Sequence, residues 1–160
     1  MNTEARLKEL EIELPAAPAA AGLYAPCVQS GNLLYVSGQI PTANGNVLAR
    51  GKLGAGVTVD QAAQLARQCA LNALAIVRSH LGSLDRVTQV VRVGGFVASA
   101  PGFTQQPQVI NGASQLLIDV FGEAGRHARV AVGVAELPLG VPVEVEFLFE
   151  VNERSAKVAL

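Results

Sequence analysis

The residue types best suited to chemistry lie in one stretch near the C-terminus, ARVAVGVAELPLGVPVEVE, residues 128–146. Arg129 heads one alternating run, and Glu144 and Glu146 fall in the next. A planar guanidinium grips a carboxylate through two parallel hydrogen bonds and does not lose its charge, which suits a small ligand bearing a carboxylate. A carboxylate held near an electrophilic carbon can orient or deprotonate water, a general-base role. Side chains alternate between faces along a strand. Val130, Val132 and Val134 therefore share one face, and Arg129, Ala131 and Gly133 the other. In the next run Val143, Val145, Phe147 and Phe149 point one way, and Glu144 and Glu146 the other. This parity predicts that the guanidinium and the carboxylates share a sheet face of otherwise very small side chains, with room for a ligand or another subunit. A plain cross-strand ion pair on a solvated face fits the same spacing.

The other candidates are scattered. Tyr24 lies in a Gly-Leu-Tyr loop, where its ring could wall a pocket and its hydroxyl could hydrogen-bond, or it is an ordinary surface tyrosine. Ser37 and Gly38 end an apolar run, LLYVSG, where a hydroxyl and a backbone amide could reach a ligand. No motif ties His80 or His127 to Ser37, so a serine-hydrolase triad has no support. His127 reads as a polar strand-edge residue, and His80 as a helix-end residue suited to the dipole. Asn111 could contact a ligand across a subunit boundary or simply its own helix. Cys27 and Cys69 form no CxxC pair, have no His or Cys nearby at metal-ligand spacing, and read as reduced thiols. No metal or other cofactor is expected. RGKLGAG, residues 50–56, is glycine-rich but lacks the lysine–serine ending of a phosphate loop.

The elements that must hold these residues can be traced along the chain. Thr3 to Leu10 suits a short amphipathic helix, followed by an extended Pro/Ala spacer, LPAAPAAAG. A strand is predicted over 32–38, and Asn44-Gly45 should turn the segment 39–48 back on itself. Thr58 with Gln61 forms a capping box for a helix over 59–81, which Gly82 closes. Ala62, Leu65, Ala66, Cys69, Ala73, Ile76, Val77 and His80 recur at helical spacing and predict its core face. Residues 86–99 read as a strand with a bulge at Gly94-Gly95. A second helix should start near Pro107, end at Phe121 and be closed by Gly122; two strands complete the order β-β-α-β-α-β-β. That order implies an α+β fold, a mixed or mostly antiparallel sheet with two helices on one face. The expected division is an N-terminal arm over 1–21, one domain over 22–151 and a polar tail over 152–160.

Composition narrows the function classes. A chain of 160 residues, 50% hydrophobic but only 16% charged, carries more apolar surface than a lone monomer needs, which suggests burial between subunits. The formal net charge of -1 and the absence of a basic patch with interleaved aromatics argue against nucleic acid as a partner. No run approaches a bilayer span of roughly 20 apolar residues. The N-terminus lacks a signal-peptide h-region, and the expected location is cytoplasmic.

Three motifs carry a family resemblance. GLYAPCVQSGNLLYVSGQIP over 22–41, INGASQLLIDVFGEAG over 110–125 and the 128–146 stretch occur in the order and spacing that resemble the Rid family of YjgF-like enamine/imine deaminases. The resemblance implies a homotrimer with a chorismate-mutase-like fold and sites in clefts between subunits. It further implies that Arg129 binds the substrate carboxylate and that Glu144 stands near the attacking water, with Glu146 as the fallback. Tyr24, Ser37, Gly38 and Asn111 would then line the cleft. The implied reaction hydrolyses a 2-aminoacrylate-type imine to a 2-keto acid and ammonia without a cofactor. A non-catalytic keto-acid binder or regulatory protein is the alternative, and the ribonuclease activity attributed to some relatives fits the charge poorly. One departure stands out: Ala131 occupies the position where many such deaminases have cysteine.

Overall fold

The computed structural model describes residues 2–152. In chain order it contains α1 (Thr3–Glu9), β1 (Cys27–Ser30), β2 (Leu33–Gln39), β3 (Thr42–Ala43), β4 (Asn46–Val47), β5 (Lys52–Leu53) and β6 (Gly56–Val57). Then follow α2 (Val59–Leu81), β7 (Val87–Ala98), α3 (Gln106–Phe121), β8 (Ala128–Val134) and β9 (Val143–Val151). Apart from Asn152, the polar tail expected over 152–160 lies outside the described residues.

Local signals place most boundaries. The Thr58 hydroxyl accepts from the Gln61 amide at 3.2 Å, and the Gln61 side chain accepts from the Thr58 amide at 3.0 Å, so α2 starts where the capping box predicts. It stops at Gly82, whose φ of 86° is left-handed. Asn44 and Gly45, with φ of 52° and 78°, make the tight turn between β3 and β4. The buried side of α2 includes Ala62, Ala66, Cys69, Ala73, Ile76 and Val77; His80 lies outside that stripe and meets the Gln29 side chain at 3.0 Å.

The main sheet has the order β1-β2-β9-β7-β8, with β7 and β8 parallel and the other neighbours antiparallel. This is the mixed sheet of the expected α+β class, with α2 and α3 against one face. Helix α1 joins that layer, its Leu7 buried in the same core. Strand β1 has no counterpart in the sequence reading, because CVQS is short, lies at the sheet edge and is mostly exposed.

Between α2 and α3 the backbones meet at Gly112, where an added Cβ would overlap the Ala63 carbonyl group. Helix propensity alone would make Gly112→Ala stabilising by about 1 kcal/mol. Overpacking against rigid backbone costs about 1–3 kcal/mol or more, so packing should win. We expect Gly112→Ala to lower the denaturant midpoint; an unchanged or higher midpoint would show that the helices can part at little cost.

Two strand-level expectations fail. Gly94 and Gly95 pair regularly with Glu146 and Val145, and the irregularities in β7 fall instead between Val87 and Gln89 and between Val90 and Arg92. Both glycines are needed for another reason: a Cβ on Gly94 would meet the Glu146 carboxylate at 2.7 Å, and one on Gly95 would collide with Ile110 of α3. The second failure concerns the faces. Phe96 of β7 pairs with both Glu144 and Val132, so those two share the face away from the helices. Arg129, Ala131 and Gly133 therefore point toward the helix layer, where Ala131 packs on the core and Gly133 lies beside Gln106 and Ser99. Arg129 and Glu144 do not share a face. The parity argument assumed that the valines of β8 seek the core; β8 is an edge strand whose inner face must admit α3, and small residues do that. Of the five residues expected to share a face, only Glu144 and Glu146 lie on the side away from the helices. With them the face carries an exposed apolar set, Val28, Tyr35, Val130 and Val132, and the Arg92–Glu146 ion pair.

Candidate functional site

Glu144 is placed by a distortion in β2. Val36 pairs with Phe147 and Gln39 with Val145, so three steps along β2 answer two along β9, the signature of a bulge at Ser37-Gly38. The Glu144 carboxylate lies directly over Gly38, where any Cβ would strike its Oε1. Glycine at 38 leaves room for the carboxylate where it stands, and its backbone lies outside the left-handed region. Among the described residues Glu144 has no ion-pair or hydrogen-bond partner, whereas Glu146 pairs with Arg92 at 3.0 Å. Partial burial, reinforced by the nearby Glu146 charge, raises the Glu144 pKa above the usual carboxylate range.

Ser37 secures the loop that carries Tyr24. Its hydroxyl donates to the Ala25 carbonyl at 2.7 Å and its amide to the Pro26 carbonyl at 2.9 Å. The Tyr24 hydroxyl accepts from the Ala21 amide at 3.2 Å, leaving its own proton to donate. Tyr24, Gly38 and Glu144 line one cavity of about 790 Å³.

Arg129 belongs to a different constellation. Its Nη1 donates to Asn111 Oδ1 at 2.8 Å and to Ser114 Oγ at 3.1 Å, and its Nη2 donates to the Pro107 carbonyl at 3.4 Å. A guanidinium has five N–H donors. Three are thus engaged, and what remains is Nε–H with one Nη2 hydrogen, the side-on pair that a carboxylate accepts bidentately. No carboxylate fills that place among the described residues, so the ion-pair reading of Arg129 with Glu144 is not realised. His127 completes the support. Its Nδ1 donates to the Gly125 carbonyl at 2.6 Å, which leaves Nε2 to accept from the Ser114 hydroxyl at 2.9 Å. Burial and the neighbouring Arg129 charge hold His127 below the ordinary histidine pKa, although its bond to Gly125 works the other way.

The sequence candidates thus fall into two groups: Tyr24, Ser37, Gly38 and Glu144 on one side, Arg129 and Asn111 on the other. Ser114 is missing from the sequence reading, although its three-residue spacing from Asn111 puts both on one face of α3. Cys69 is buried and its thiol is pushed well up by that burial, while Cys27 is half-buried; both are free thiols. Among the described residues no cluster of three His, Cys, Asp or Glu side chains could hold a metal, and no helix is long and apolar enough to cross a membrane.

A family model described as "YjgF/chorismate_mutase-like, putative endoribonuclease" matches residues 4–151. The chain is 50% identical over 149 residues to Protein TCP17 of Trypanosoma cruzi, covering 92% of this chain and 93% of that protein. It is 32% identical over 135 residues to the 2-iminobutanoate/2-iminopropanoate deaminase of Dermatophagoides farinae, covering 84% and 91%. The crystal structure of Atu1372 from Agrobacterium tumefaciens, a protein of unknown function, superposes with a TM-score of 0.85 at 47% identity and 94% coverage of each chain.

Proposed function

Since the chain belongs to the YjgF/chorismate mutase-like family, we propose that it hydrolyses 2-imino acids to 2-keto acids and ammonia in clefts formed between its own subunits. One observation carries this reading. Among the described residues Arg129 presents an unfilled carboxylate fork and Glu144 an unpaired carboxylate, on opposite faces of the same sheet. A single small substrate can meet both only if the two come from different chains. The exposed apolar face around Val28, Tyr35, Val130 and Val132 supplies a surface for that association, and a closed trimer is the proposed assembly.

In the proposed cleft Arg129 holds the substrate carboxylate and Asn111 fixes the guanidinium. Glu144 of the neighbouring chain takes a proton from water as the oxygen bonds to the imine carbon. That proton passes to the imine nitrogen as the C=N π bond opens. The new hydroxyl then gives its own proton, through the same carboxylate, to the amine, so the C–N bond breaks and ammonia leaves as the keto group forms. Both protons of water end on nitrogen and its oxygen on carbon. Partial desolvation of Glu144 makes it a stronger base. The net charge of -1 gives the endoribonuclease reading little to attract a phosphate backbone. A cytoplasmic location is part of the proposal.

The test is ammonia release from 2-imino acids generated in situ by an amino acid oxidase. The protein should accelerate release, and Glu144→Gln should remove the acceleration; unaccelerated release would leave the binder reading. The pH profile adds a sharper check. A base with a raised pKa places the acidic limb of the rate profile above the ordinary carboxylate range, and Glu146→Gln, by removing one cause, should shift that limb downward. The same shift has a sign for stability. A carboxyl group with a raised folded pKa stabilises fully below its unfolded value, and that contribution is lost as pH rises through the folded one. Glu144→Gln should therefore raise Tm at neutral pH while ending activity. A fall in Tm would mean that the charge is structurally satisfied.

A further inference from the structure

The cavity beside Glu144 is larger than a three- or four-carbon imino acid requires. Its volume of about 790 Å³ falls within the roughly 300–1,000 Å³ typical of sites for much larger ligands. One wall is the Pro/Ala spacer, residues 15–21, lying as a strap between α1 and the Tyr24 loop. The strap is held at both ends, by Leu14 packed against the core and by the bond from the Ala21 amide to the Tyr24 hydroxyl. Ile40 and Ile76 also line it, as does Leu139, whose exposure puts it at the rim.

Two of the amide side chains of this cavity are already engaged. Asn72, buried in α2, donates to the carbonyls of Ile40 and Thr42 and accepts from Gln68 at 3.1 Å. Gln39 donates to the Ser37 carbonyl at 2.8 Å. Glu144, the Tyr24 hydroxyl and the Asn44 amide remain open to a ligand among the described residues, while the strap, Ile40, Val47, Ile76 and Leu139 make most of the remaining wall apolar. Leu139 points to the same conclusion. It adopts a left-handed φ of 57°, unusual for a branched side chain, and remains 62% exposed. Its backbone is pinned by Arg50 Nε donating to its carbonyl at 3.0 Å and by the Gly51 amide donating to Gly140 at 2.9 Å. A strained loop that presents leucine to the mouth of a cavity reads as part of a binding surface.

We propose that the preferred substrates are 2-imino acids with a large apolar side chain, branched or aromatic, which lies beneath the strap while the imine carbon sits at Glu144. The proposal rests on the hydrolytic reading for its chemistry but not for its binding. Assembly with other subunits can close the mouth of the cavity, but the strap wall belongs to the chain itself.

Two measurements on the full chain test it. In the ammonia assay, kcat/KM for imines made from leucine or phenylalanine should exceed that for the imine from alanine by about tenfold or more, the scale of discrimination by added apolar groups in a pocket. By calorimetry, 4-methyl-2-oxopentanoate should bind more tightly than pyruvate by a similar factor. Ala20→Phe narrows the cavity from the half-buried part of the strap, and Leu139→Ala removes the rim. Each should lower the large-to-small ratio in both measurements, with Tm confirming the fold. A wild-type preference for the small acids, or variants that leave the ratio unchanged, would overturn the proposal. If no imine is hydrolysed but the larger keto acid still binds better and Ala20→Phe weakens it, the hydrolytic reading fails and the cavity assignment stands.

Discussion

Mixing two inactive variants should restore activity. Arg129→Ala removes the carboxylate fork and Glu144→Gln the base, so each alone should lose at least about a hundredfold in kcat/KM, the scale of a lost general base. When the two are dissociated and reassembled together in equal amounts, each cleft draws its arginine from one chain and its glutamate from the next. Random closed assembly then leaves both groups intact in about a quarter of the clefts, and about that share of wild-type activity should return. The expectation follows from the opposite faces occupied by Arg129 and Glu144. If one chain held a complete site, every assembled site would still lack one group and no activity would return. A monomeric mass for the wild-type protein would defeat the reading at once.

Arg129→Ala should also abolish keto-acid binding with little loss of stability. Charge-assisted contacts are worth roughly 1.5–3 kcal/mol, about ten- to more than a hundredfold in affinity. The folded chain loses three hydrogen bonds in which Arg129 is the donor. Ser114 retains His127 as an acceptor and Asn111 is exposed to solvent, so the penalty should be about 1–2 kcal/mol. Arg129→Lys should recover little binding, because an ammonium keeps the charge but loses the planar fork. Affinity for a 2-keto acid and Tm measured on the same variants decide the matter. Normal binding with a much lower Tm would make Arg129 a structural tie between β8 and α3.

Helix α2 was legible to the residue because its determinants are local. Thr58, Gln61 and Gly82 satisfy backbone groups within a turn of themselves, whatever the rest of the chain does. The Asn44-Gly45 turn is legible for the same reason, since both residues tolerate the positive φ that a tight hairpin demands. Arg129, Asn111, Glu144 and Gly38 were also singled out by type and motif. What the sequence could not determine was which of them meet. Alternation along β8 separates two faces but does not say which one the helices cover; that was decided by where α3 lands on the edge strand, and it placed Arg129 opposite Glu144. The bulge at Ser37-Gly38 likewise arises from pairing β2 with β9, strands more than a hundred residues apart in the chain. The bond from Ser114 to His127 needs a helix and a strand end brought together. Capping and turn chemistry are settled within a few residues, whereas a site is settled by non-local packing, and only the tertiary structure contains that packing.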